Sequence, residues 1–128
     1  MSDAATSRTF PDTVVEEKRE IDVHYQLESS TFMSRALFYK TRGTYYIPFR
    51  TLYSKNIDNL MMAGRCFSCS HIGLGGPRVM KTTGQMGIAT GYAASLCRTY
   101  KTTPRGIYKE HIDELRALIG YSQDPEQK

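Results

Sequence analysis

A chain of 128 residues has room for one domain with a modest core, and too little for two. Its 40% apolar and 23% charged content is that of a soluble globular protein or a piece of one. The net charge of +4 is interleaved with acidic neighbours, as in Glu16, Glu17, Lys18, Arg19 and Glu20, which argues against a nucleic-acid footprint, and no apolar run is long enough to span a membrane.

The N-terminal MSDAATSRTF lacks the apolar region of a signal peptide, so the chain as written reads as cytoplasmic; a longer parent would carry its targeting signal elsewhere. Cys66, Cys69 and Cys97 make an odd count that fits a reducing compartment better than a disulfide framework.

Residues 1 to 20 are polar, without a sustained period, and read as an irregular lead-in. Ile21, Val23, Tyr25 and Leu27 then alternate with Asp22, His24, Gln26 and Glu28, the period-two pattern of a half-buried strand with His24 on its polar face. From Thr31 to Lys40 the apolar residues Phe32, Met33, Ala36, Leu37 and Phe38 suit a short helix or an irregular strand equally. Arg42 and Gly43 mark a turn, and TYYIPFRTLY follows as an edge strand or extended segment, because Pro48 cannot donate to a central ladder.

Asn59 to Ala63 is apolar on both faces, which predicts a strand of a parallel sheet covered on each side. Gly64 ends it. The connection from Gly64 to Lys81 is long for a compact domain and carries Gly73, Gly75, Gly76 and Pro77, so it reads as a functional loop. A buried helix is predicted from Thr83 to Cys97, with Thr82 or Thr83 as N-cap. Gly84, Gly87, Gly91 and Ala94 form a stripe almost without side chains on it. Each interior glycine costs roughly 1 kcal/mol relative to alanine, so the stripe implies close packing against a sheet or a flat ligand. Beyond Cys97, Thr103 followed by Pro104 opens an amphipathic helix that Gly120 stops.

Strand, glycine-rich connection and helix N-terminus together make a site for an anion or an electron-rich ring edge; the plain alternative is a strand and helix packed only for the core. Cys66 and Cys69, with His71 two residues on, allow a redox dithiol, half a zinc site or coincidentally placed thiols, and coincidence is the preferred reading, with no metal assigned.

The segment NLMMAGRCFSCSHIGLGGPRVMKTTGQMGIATGYAASLC, with YYIPFRTLYSKNID before it and TTPRGIYKEHIDEL after it, resembles the C-terminal part of FAD-dependent oxidoreductases with a glutathione-reductase-like FAD-binding fold. That family's pattern is I-P-[YF]-R, N-L-x-x-A-G-R, a Ser, a His, L-G, R-V-M and then T-x-G-x-x-G at a helix start. The likeness spans roughly residues 44 to 119 and extends more weakly to Phe10 through FPDTV and IDVHY. It implies an α/β fold: the C-terminal part of an FAD/NAD(P)-binding Rossmann-like domain, with a few mixed strands and two helices, incomplete on its own.

On that reading, residues 1–20 are the lead-in, 21–57 are strands from the substrate side, 58–98 are the FAD-binding strand, loop and helix, and 99–128 are the C-terminal helix and tail. Gly64, Arg65, Ser68, Thr82, Thr83, Gly84, Gln85 and Met86 would line FAD. His71, as acid/base, and Arg78, as electrostatic anchor, would face a small-molecule, alcohol-like substrate, a carbohydrate among the candidates. Two departures stand out: G-x-G-x-x-G and its acidic ribose partner occur nowhere in the chain, and Gly75, Gly76 and Pro77 replace the family's usual single glycine. The chain is therefore expected to work beside a missing N-terminal portion or as a homo-oligomer.

Overall fold

A computed structural model of the chain describes residues 8–26, 34–41 and 43–121. It is a small mixed α/β arrangement of four short strands in two antiparallel pairs, with helices packed on them. Strands β1 (Thr13–Glu17) and β4 (Tyr45–Pro48) form one pair, β2 (Ile21–Gln26) and β3 (Ser34–Tyr39) the other. The helices are α1 (His71–Leu74), α2 (Met80–Tyr100), α3 (Pro104–Glu110) and α4 (Ile112–Leu118), and single 3-10 turns lie at Phe49–Thr51 and Gly64–Cys66.

The lead-in expected over residues 1–20 contains a core strand. Val15 pairs with Ile47 and Glu17 with Tyr45, and the register shifts between Thr13 and Val15. That irregularity explains how Val14 and Val15, neighbours in sequence, are both buried: an extra residue breaks the strict alternation of faces. Propensity alone missed β1 because only two of its five residues are apolar.

The alternation over 21–26 produces β2, where Ile21 and Val23 are buried and Tyr25 is partly exposed. Leu27, Phe32 and Met33, to which the sequence also assigned roles, lie outside the described residues. The undecided segment before Lys40 is a strand, in register Ile21 to Tyr39 and Val23 to Leu37. Pro48 ends β4, in a pair whose strands are both edges, as its missing N–H requires.

The buried parallel strand expected at Asn59 to Ala63 is not formed. Leu60 is exposed, and the segment is tied by a single antiparallel bridge, Tyr53 to Met61, with Ser54 N donating to Leu60 O at 2.9 Å and Met62 N to Leu52 O at 2.8 Å. No parallel pair exists among the described residues, so the Rossmann-like sheet is not built by them. A central strand needs a ladder on both edges, and among the described residues this segment has only the bridge to Tyr53.

Helix α2 begins three residues earlier than predicted, at Met80, with Val79 rather than a threonine as N-cap. Thr82, Met86, Ala89, Ala93 and Leu96 form its buried face, and the last four join Val14, Val15, Ile47, Phe49, Leu52, Ile107 and Leu115 in one core. The predicted cap at Thr103 does form, accepting from Gly106 N at 3.2 Å with Pro104 in the first turn. The single C-terminal helix is split at His111 into α3 and α4, and Gly120 stops it at φ +69°.

Asp12 locks β1 to the turn after β4. Its carbonyl accepts from Phe49 N at 2.7 Å, and its carboxylate accepts from Arg50 N at 3.0 Å and from the Arg50 guanidinium.

Candidate functional site

The N-terminus of α2 is open. No side chain caps it and no acidic residue lies in its first turn, while its first amides have no partner within the helix. Gly64 sits beside it at φ +68°, a conformation that suits glycine, and a Cβ there would lie 3.8 Å from Thr83 Cβ. The Gly64–Cys66 turn thus packs on the start of the helix, as the sequence led one to expect of the strand end. Arg65 is exposed, and a Cβ on Gly84 would meet nothing within 4 Å. Gly64 and Thr83 therefore adjoin at the positive end of a helix dipole, with Gly84 bare beside Thr83 and Arg65 exposed beside Gly64.

The remaining candidates for cofactor contact are distributed differently. Thr82 is buried, and its hydroxyl donates to the Glu17 carboxylate on β1. Met86 is fully buried in the core, and Gln85 borders a cleft with Val14, Val15 and Ile88. A helix turns 100° per residue, so a consecutive run such as Thr82 to Met86 cannot present one face; only every third or fourth member does. Ser68 is exposed, and its amide donates to Thr51 O at 2.8 Å.

His71 and Arg78 both pack toward β2. Arg78 donates from Nη2 to the Asp22 carboxylate at 2.8 Å and to the Asp22 carbonyl at 3.3 Å. His24, from the polar face of β2, lies 3.1 Å from the same carboxylate. His71 is exposed in the first turn of α1, its ring 5.9 Å from that of Tyr25. Asp22 is thus the residue that sequence reasoning missed. Its position two residues before His24 on a polar strand face was legible, but its pairing with an arginine 56 positions away was not.

Burial pushes the Cys69 and Cys97 thiols above their ordinary value, which disfavours the thiolate. Among the described residues no three His, Cys, Asp or Glu side chains converge as a metal set, so the C-x-x-C spacing gains no further ligands here.

A family model described as FAD dependent oxidoreductase matches residues 1–119. The chain belongs to the FAD-dependent oxidoreductase family. Comparison with curated proteins and with solved structures found no match. The start of α2, with its uncapped amides, the left-handed Gly64 and the bare Gly84, has room for an anion or the edge of a flat ring. A dinucleotide-binding turn of the G-x-G-x-x-G kind has no counterpart in this sequence.

Proposed function

We propose that this chain supplies the ring end of the flavin site of an FAD-dependent oxidoreductase, and that the parent enzyme oxidises an alcohol-like substrate, a carbohydrate among the candidates. The observation that carries this reading is the conjunction, on one helix, of an uncapped N-terminus and a bare glycine face. Gly84, Gly87 and Gly91 would each accept a Cβ with nothing within 4 Å, while the opposite face of α2 is fully packed. Glycines that cost helix stability yet touch nothing among the described residues suit a further surface laid against them.

In this proposal FAD, when bound, would supply the hydride acceptor. The amides of the first turn of α2, with Arg65, would hold the ring edge and favour negative charge there. His71 takes the substrate hydroxyl proton, and Arg78, held by Asp22, anchors the substrate electrostatically. The outward face of α2 lies on the sheet that carries the dinucleotide-binding turn. The chain alone is then short of what tight FAD binding needs.

Absorbance and fluorescence titration of the purified chain with FAD tests this. We expect no stoichiometric binding at micromolar concentration, and a yellow complex when a chain carrying the strand and G-x-G-x-x-G turn is co-expressed. Stoichiometric FAD on the chain alone would overturn the need for a complement, and a complex whose flavin spectrum ignores Arg65→Ala and Gly84→Val would overturn the site. A second reading, a non-catalytic module that self-associates or completes another chain, is favoured by Ile88 and Tyr92, which are 56% and 42% exposed on the glycine side. A defined homodimer with no flavin response would select it.

A further inference from the structure

Three cations from separate segments border one open cavity of about 470 Å³: Arg50 after β4, Lys55 in the following turn and Arg105 in α3. Tyr53, Asn56 and Ser68 complete its polar wall, and none of its lining residues is a carboxylate. Asp12, which is 1% exposed and lies outside the cavity lining, pairs with Arg50 and neutralises that guanidinium. Two of the cations are held in place. The carboxylate of Asp12 fixes Arg50, and Arg105 donates to the Lys55 carbonyl at 2.6 Å and lies 6.0 Å from the Tyr53 ring centre. With Arg50 neutralised by Asp12, Lys55 and Arg105 leave the cavity lining a net charge of about +2, which an anion of charge near −2 balances.

From this we propose that the cavity binds a small phosphate monoester through its dianionic phosphoryl group. The Arg105 guanidinium, the Lys55 ammonium and the Arg50 Nη1, which lies outside the pair with Asp12, offer donors to three phosphoryl oxygens, one more than a carboxylate has. The Ser68 hydroxyl and the Asn56 amide are available to the remainder of the ligand, and the cavity exceeds what a bare phosphate fills. Lys55 and Arg105 have no part in the flavin reading, so their substitution tests this site separately from it.

The test is titration of the full chain with inorganic phosphate at low ionic strength, read by backbone amide shifts. One saturable site is expected, with shifts centred on residues 50–56, 68 and 105. Lys55→Gln and Arg105→Gln should each weaken binding about five- to tenfold, as loss of a charge-assisted contact does. Arg105→Lys should restore part of it, and Lys109→Gln, on the exposed side of α3, should leave it unchanged. Absence of saturation, shifts scattered over the surface, or equal weakening by Lys109→Gln would overturn the proposal. Succinate binding as tightly as phosphate would overturn its assignment to the phosphoryl group.

Discussion

Asp12 accepts from two backbone amides and a guanidinium while almost wholly withdrawn from water. Removing its carboxylate strands Arg50 and the Arg50 amide together, so Asp12→Ala should cost about 2–4 kcal/mol, below the range for a fully buried pair because Arg50 is partly solvated. Urea unfolding checks it, and a loss under 1 kcal/mol would show the clamp to be dispensable. Tyr45 gives the opposite result. Its hydroxyl is buried without a hydrogen-bond partner among the described residues, and burial, with Glu17 adding to it, raises its pKa well above the ordinary value of about 10. Between that value and the raised one the folded chain holds a proton that the unfolded chain has released. Stability therefore falls as pH climbs above about 10, and is untouched by this group below it. Tyr45→Phe should be neutral or slightly stabilising at pH 7 and should flatten the alkaline loss in a series of denaturant melts. Gly76 belongs to the same contact: a Cβ there would fall 1.8 Å from Tyr45 Oη and 2.9 Å from Tyr45 Cζ. Gly76→Ala should cost about 1–3 kcal/mol, and less in a Tyr45→Phe background, which a double-mutant cycle would show.

At the scale of elements, α2 carries two faces with opposite demands. Its inner face reads as an ordinary buried stripe, with Met86, Ala89, Ala93 and Leu96 against β1, α3 and α4. Its outer face runs through Gly84, Gly87, Ile88, Gly91 and Tyr92 and, among the described residues, meets nothing at the glycines. Gly87→Ala and Gly91→Ala should each stabilise the isolated chain by about 0.5–1 kcal/mol, since nothing obstructs the methyl and alanine restores helix propensity. The same substitutions should weaken flavin retention in the complemented complex, where the methyl meets the partner surface. Thermal melts of the chain and FAD release from the complex read the two effects separately. Stabilisation with no change in FAD release would remove the partner from the account of these glycines.

At the scale of the whole molecule, the core lies between the β1–β4 pair and the helices, and the β2–β3 pair is attached through Gly75. There the backbone approaches so closely that a Cβ would lie 2.7 Å from the Asp22 carbonyl. Gly75→Ala should therefore loosen β2 from α1 and release Arg78 with it, at a cost of about 1–3 kcal/mol and with faster amide exchange in β2. Local chemistry was legible in the sequence. The Thr103–Pro104 helix start needs only its own residues, the alternation of β2 needs only one covered face, and the family motifs sit in consecutive positions. The split at His111, the strand hidden in the polar lead-in and the clamp between Asp12 and Arg50 depend on partners tens of residues away, and spacing does not encode those. The two-faced apolar run before Gly64 shows the limit most clearly. Its sequence specifies a central strand, and its neighbours decide whether one forms. The sequence by itself determined the family and the helix start at Thr103–Pro104. Only the tertiary structure decided which side of α2 is already covered, because burial is a property of what packs against a residue as well as of the residue itself.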